Sequence, residues 1–259
     1  MKLEEVLQAI KVFSQEHLQG DALAYLLEKR KISRQVIDEF EIGYFPFGEE
    51  ARFTQVEERW LTYYKLAFKA GRDLRILLEG RIVFPIYDLS GKLVSIQARR
   101  FHEDASKYLF NERKYWHNSF NKSRILHGLI KAIPEIRRTG RVLITEGQFD
   151  LVRAHERGLS NCICTSGTVL TNFHIGLLAR YAKELLIVFD NDMGGQRGLE
   201  KLGKKHYPGT QLKFITLPSN DGQKQDLDSY LLSQDTSSFH RLLVPVKQQD
   251  SLLTCLNTL

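Results

Sequence analysis

Asp190 and Asp192 stand one residue apart where the apolar run Leu185 to Phe189 ends, in the stretch ELLIVFDNDMGGQRGLEKL. Glu146 follows another apolar run, RVLIT, with Asp150 one turn beyond it, and Asp226 and Asp228 lie in QKQDLDSY after a third run, QLKFITL. Like charges gathered in a partly dry site repel by kilocalories unless something positive sits among them. Hard divalent cations answer that need, since magnesium takes oxygen ligands and keeps waters and substrate phosphates in its shell. Two such ions activate an attacking hydroxyl and stabilise the leaving oxygen of a phosphoryl transfer. A single Asp-x-Asp in a loop is more commonly turn or helix-cap chemistry. Glu-Gly and two Asp-x-Asp pairs, each past an apolar run, reverse that balance. Gly194 and Gly195 add backbone without Cβ that can come close to phosphate, and the amides opening a helix near Gln196 favour an anion.

The elements that must carry these residues are legible in the periodicity. From Arg141 the pattern alternates strand and helix: strands RVLIT, NCICT, ELLIVF and QLKFITL, with helices near 148–157, 171–182, 196–206 and 226–233. Strands this apolar, alternating with helices, predict an α/β fold with a mainly parallel sheet covered on both faces. Ligands in such sheets bind beyond the carboxyl ends of the strands, where the acidic residues fall. The preceding part is α+β. Met1 to Phe45 reads as helical, and GRIVFPIYD, the turn LSG and KLVSIQARRF form a β-hairpin. In its second arm Val94, Ile96 and Ala98 share one face, and Ser95, Gln97 and Arg99 share a polar one. A basic and aromatic connection, KYLFNERKYWHNSFNKSR, joins the two parts. The division reads as an N-terminal subdomain over 1–138, an α/β domain over 139–233 and a short helical tail over 234–259.

Composition narrows the partners. Lys and Arg outnumber Asp and Glu by 37 to 31, a net charge of +6 that suits a polyanion without proving one. No apolar stretch approaches the roughly 20 residues of a membrane-spanning helix, and MKLEEVLQAIKVF is unlike a signal peptide, so no membrane partner and a cytoplasmic location are expected. Three cysteines, Cys162, Cys164 and Cys255, form no C-x-x-C pair, so no zinc is expected and Cys162 and Cys164 read as core packing. His102, His117 and His127 lack ligand spacing and read as surface residues.

The ordered series VLITEGQFDLV, CTSGTVLTNFHIGLLARYAKELLIVFDNDMGGQRGLEKL and QDLDSYLL resembles the Toprim domain shared by topoisomerases and primases. Upstream, ALAYLLEKRKISRQVIDEFEIGYFP, GRIVFPIYDLSGKLVSIQARR, KYLFN and RILHGLIKA resemble, in that order, the RNA-polymerase domain of DnaG-type bacterial primases. The resemblance covers about residues 21 to 233 and is weak from Gly48 to Leu78. It implies template-directed synthesis of short RNA primers from nucleoside triphosphates on single-stranded DNA, with Mg2+ or Mn2+ held by the Toprim carboxylates. On the matching positions, Glu146, Asp190 and Asp192 are catalytic and metal-binding, and Asp226 and Asp228 are further metal ligands. Arg99, Lys107, Tyr108, Asp150 and Gly194 fall on nucleotide- or template-binding positions. Asn191 stands where the family usually has glycine. No zinc ribbon and no helicase-binding segment are recognised in the 259 residues, which suits a reduced catalytic core served by a replicative helicase or a separate zinc-binding template-recognition protein. Two other functions fit part of the pattern. A Toprim nuclease would use the same metals to activate water, but has no reason to carry GRIVFPIYD and KYL. A non-catalytic single-strand binder would not need every acidic position filled.

Overall fold

Apolar residues at three- and four-residue steps, Val6, Leu7, Ile10 and Phe13, give α1 (Leu3–Glu16) one buried face. The computed structural model describes residues 1–48, 53–102, 113–167, 170–188, 209–218 and 225–243. Helix α2 (Gly20–Ala24) runs directly into a π-type turn over Tyr25–Lys29, which brings residues five apart onto one side. Helix α3 (Arg34–Glu39) starts at Ser33, whose hydroxyl accepts the Val36 amide at 3.3 Å. Strand β1 (Gly43–Phe45) then lies against α1, a close approach that needs Gly43: a Cβ there would fall 2.6 Å from Ser14.

After α4 (Glu58–Tyr63) and a small hairpin of β2 (Ala67–Ala70) and β3 (Asp73–Ile76) come β4 (Arg81–Tyr87), β5 (Leu93–Arg100) and β6 (Tyr115–His117). They complete an antiparallel sheet in the order β1-β4-β5-β6, and the expected hairpin is its centre, paired from Arg81 opposite Arg100 to Tyr87 opposite Leu93. Ile96 and Ala98 join the core under α1. Gln97 and Arg99 are buried as well, because the second half of the chain covers them: Gln148 Nε2 donates to Gln97 Oε1 at 2.5 Å and Phe149 lies against Arg99, while the buried Ser95 hydroxyl donates to Asn118 Oδ1 at 2.9 Å.

That second half begins with α5 (Leu129–Thr139), followed by β7 (Arg141–Thr145), α6 (Gln148–Glu156), β8 (Cys162–Cys164), α7 (Asn172–Leu178), β9 (Glu184–Ile187) and β10 (Gln211–Phe214). The sheet is parallel throughout, in the order β10-β9-β7-β8. Successive residues point to opposite faces, so Leu143, Cys162, Cys164 and Leu186 enter one core while Val142, Ile144, Ile163 and Leu185 enter the other. Burial pushes the Cys164 thiol up to about 12, consistent with packing rather than reactivity. Helix α7 ends at Leu178, short of the expected 182, where three-residue bonds from Arg180 to Leu177 and from Tyr181 to Leu178 tighten the chain into turns. Helices α8 (Leu227–Ser233) and α9 (Thr236–Leu243) close the described chain, and Phe239 is fully buried against the core. The expected helix at 196–206 and Cys255 lie outside the described residues. Leu26, Ile37, Ile82 and Phe84 share a single apolar cluster with Leu143, Phe149 and Leu186, so the two halves of the chain bury their facing surfaces together. Among the described residues, no helix is long and apolar enough to cross a membrane.

His127 corrects the surface reading. It is 4% exposed, its backbone amide and carbonyl both bond to Cys164 at 3.0 Å, and its ring stands edge-on to Phe40. His117 is exposed and His102 half-buried. Burial, helped by His155 and Lys131, holds the His127 imidazole down at about 3. Its folded-state pKa therefore lies below the unfolded value of about 6.5, so stability is full above that value and declines as pH falls toward the folded one. His127→Gln is expected to flatten the acid limb of a urea-unfolding profile between about pH 6.5 and about pH 4. An acid limb identical to that of the parent protein would show that His127 does not supply it.

Candidate active site

The carboxyl end of β7 carries Glu146, half-buried, with its backbone carbonyl accepting the Gly167 amide at 2.9 Å. Gly147 follows, and a Cβ there would meet Asp150 Oδ2 at 2.9 Å; the bare backbone lets that oxygen fold back and accept the Gly147 amide at 3.1 Å. The other Asp150 oxygen accepts the Asp228 amide at 2.9 Å, which joins the turn after β7 to the start of α8. Asp226 caps α8, accepting the Ser229 amide at 2.8 Å, and remains half-buried. Asp228 faces inward, with Arg153 Nε at 2.9 Å on one oxygen and Arg30 Nη1 at 2.5 Å on the other.

A group of cations borders these acids. Arg30 and Arg99 both donate to the Tyr25 hydroxyl, at 2.8 and 3.0 Å, and both lie over the Phe149 ring, with centroid distances of 4.4 and 4.6 Å. The π-type turn makes the first of these bonds, since Tyr25 and Arg30 are five residues apart. Arg99 and Lys114 also approach the Tyr115 ring, at 5.6 and 5.8 Å. Desolvation lowers the Lys114 pKa, the charges of Arg99 and Arg30 lower it further, and Asp226 opposes them. Burial lifts the Tyr115 hydroxyl to about 12. Ser166, at the end of β8, holds a left-handed backbone (φ 58) while its hydroxyl accepts from Gln148 at 3.0 Å and its carbonyl accepts from Lys122 at 3.1 Å.

Of the residues expected at the site, Glu146, Asp150, Asp226, Asp228 and Arg99 are described, and this network of bonds gathers them around the ends of β5 and β7. Asp190, Asp192, Gly194, Lys107 and Tyr108 lie outside the described residues. Strand β9 pairs Ile187 with Ile144, and the Val188 amide bonds to the Ile144 carbonyl at 2.9 Å. Trp116, next to Tyr115, packs in part against the core under α1. Tyr25, Arg30, Phe149 and Arg153 belong to the site without having been singled out from the sequence. The only available signal was the aromatic and basic character of Tyr25 and Arg30 near the end of one helix.

Among the described residues no three His, Cys, Asp or Glu side chains converge on one metal position. The half-buried Glu146 and Asp226 offer carboxylate oxygens, the kind of donor that a hard divalent cation takes. Residues 10–133 match the family model of the DNA primase catalytic core N-terminal domain, and residues 140–216 match the Toprim domain. The DNA primase of Synechococcus elongatus is 28% identical over 93% of this chain and 37% of its own length. That of Deinococcus radiodurans is 32% identical over 86% of this chain and 39% of its own. The chain thus spans under two-fifths of the length of these two relatives. Among solved structures, the E. coli primase catalytic core superposes with TM-score 0.78 at 25% identity, covering 93% of this chain and 79% of that one. A DnaG primase catalytic domain bound to ssDNA gives TM-score 0.79 at 26% identity, over 93% and 80%. Two family models in order along the chain, and one fold that reproduces both, show that it belongs to the DnaG-type DNA primases as a catalytic core carrying a Toprim domain.

Proposed function

We propose that the chain synthesises short RNA primers from nucleoside triphosphates on a single-stranded DNA template, by metal-dependent nucleotidyl transfer. What supports this reading is the nearness of acids and cations: Lys114 feels the charge of Asp226, Arg30 pairs with Asp228, whose amide reaches Asp150, and Arg30 and Arg99 share the Phe149 ring. Glu146, Asp190, Asp192 and Asp226 would hold Mg2+ or Mn2+, which when bound neutralises triphosphate charge and lowers the pKa of an attacking hydroxyl. An all-oxygen donor set favours these ions over zinc. The chain's own part is positioning. Arg99 and Lys114 would draw phosphates to the acids, Tyr115 offers a ring for a base, and the Arg99 guanidinium is fixed between Phe149 and Tyr25. Lys107, Tyr108 and Gly194 would extend the groove. We assign residues 1–138 to an N-terminal subdomain, 139–233 to the Toprim domain and 234–259 to a helical tail. The helicase and a zinc-binding template reader are proposed partners, and the cytoplasm is the proposed location.

Incubation with single-stranded DNA, labelled nucleoside triphosphates and Mg2+ or Mn2+ tests the reading: short template-dependent RNA is expected. Cleavage of the DNA without RNA synthesis would replace it with a nuclease. Lys114 adds a pH signature. Its lowered pKa means that affinity for a single-stranded oligonucleotide should fall as pH rises toward, but still below, the usual lysine value of about 10.4. Lys114→Arg, which stays charged, should hold its affinity across the same range. Parallel anisotropy curves for the two proteins would remove Lys114 from the phosphate-binding groups.

A further inference from the structure

Asp228 is 2% exposed, and each of its carboxylate oxygens faces a guanidinium. Arg153, 1% exposed, also donates to the backbone carbonyls of Lys31, at 2.9 Å, and of Arg30. On the other side, the Asp228 amide reaches Asp150 Oδ1 and the Gly147 amide reaches Asp150 Oδ2. The chain of bonds therefore begins on the segment after α2, crosses Arg153 on α6 and Asp228 on α8, and ends on the turn that carries Glu146. A divalent cation placed on Asp228 would sit against two positive charges in a desolvated setting, where like-charge repulsion is strongest. Glu146 and Asp226 differ from it. Both are half-buried, and each is close in sequence to an end of the Asp150 bridge, Glu146 next to Gly147 and Asp226 two residues before Asp228.

We propose that Arg153, Asp228 and Asp150 form a strap that fixes Glu146 and Asp226 relative to each other, and that Asp228 is a positioning residue rather than a metal ligand. This rests on the metal site proposed above. Partners that orient metal ligands from behind commonly govern affinity by about 10- to 100-fold. The two roles differ in sign at Arg153. If Asp228 were a ligand, removing Arg153 would free an oxygen and delete a nearby positive charge, so a cation would bind as well or better. If Asp228 belongs to the strap, removing Arg153 loosens the acids, and the cation binds more weakly.

The test uses the full chain, with Mn2+ affinity from the electron paramagnetic resonance of the free ion and, in metal-free protein, hydrogen exchange at the Gly147 and Asp228 amides. Arg153→Met is expected to weaken Mn2+ binding on the order of tenfold and to speed exchange at both amides. Arg153→Lys, which keeps the charge and loses the carbonyl bonds, should move both readings the same way by less and covers the case in which the methionine variant does not fold. Mn2+ binding that is unchanged or tighter in a folded Arg153 variant overturns the strap. So does Asp228→Asn if it loses Mn2+ while both amides exchange as in the parent protein, since that is the behaviour of a ligand. Parent protein that binds no Mn2+, or Glu146→Gln that binds it equally well, overturns the metal site instead. The amide exchange of the Arg153 variants then decides the strap alone: faster exchange upholds it, and unchanged exchange removes it.

Discussion

Glu146→Gln is expected to reduce primer synthesis by a factor on the order of 10³ or more, because losing several kcal/mol of metal-borne stabilisation costs about one decade per 1.4 kcal/mol. Glutamine keeps the shape of the side chain and removes its charge. The bond from the Gly167 amide to the residue 146 carbonyl involves backbone only, so it survives the change. The variant should melt close to the parent protein, which separates loss of chemistry from loss of fold. Asp192→Ala is expected to fail in the same assay. A folded Glu146→Gln protein with near-normal RNA yield in Mg2+ would remove Glu146 from the metal-binding acids.

The largest effect on stability is expected at Phe149. Its ring is 4% exposed, edge-on to Phe84 at 5.3 Å, and in contact with the guanidiniums of Arg30 and Arg99. It therefore joins the antiparallel sheet to the parallel one at the place where the candidate site is built. Phe149→Ala should cost about 3–5 kcal/mol from lost burial and the cavity left behind. That is a large part of a total stability of about 5–15 kcal/mol. Phe149→Leu fills most of the space but offers no ring to the arginines, so it should cost about 1–2 kcal/mol. Urea-unfolding curves at neutral pH measure both. A loss under about 1 kcal/mol for the alanine variant would show that the junction does not depend on this ring.

Several features needed no tertiary information. The four strands of the parallel sheet were legible because unbroken apolar runs between helices have few other solutions, and the acids at their ends followed from the rule that such sheets bind ligands there. The period of two in residues 81–100 gave the hairpin, and the parity of Cys162 and Cys164 gave their shared core. The boundary of α7 was less accessible, since helix ends depend on a few bonds that periodicity does not report.

Which charged side chains are buried was decided only by the fold. Arg30 and Asp228 are 198 residues apart, and nothing near either one distinguishes an arginine that will meet a carboxylate from one on a solvated helix face. The polar residues of β5 carry no sign of burial in their own types, and Gln97 and Arg99 became interior because Gln148 and Phe149 cover them. His127 is neutral in the core for the same reason, its burial being set by Phe40 and Cys164 from distant parts of the chain. By itself, then, the sequence determined the β4–β5 hairpin and the strands of the parallel sheet with the helices that follow them in the described residues, because periodicity records the geometry inside an element. The tertiary structure decided the partners of the acids, because desolvation and ion pairing depend on what the rest of the chain brings alongside.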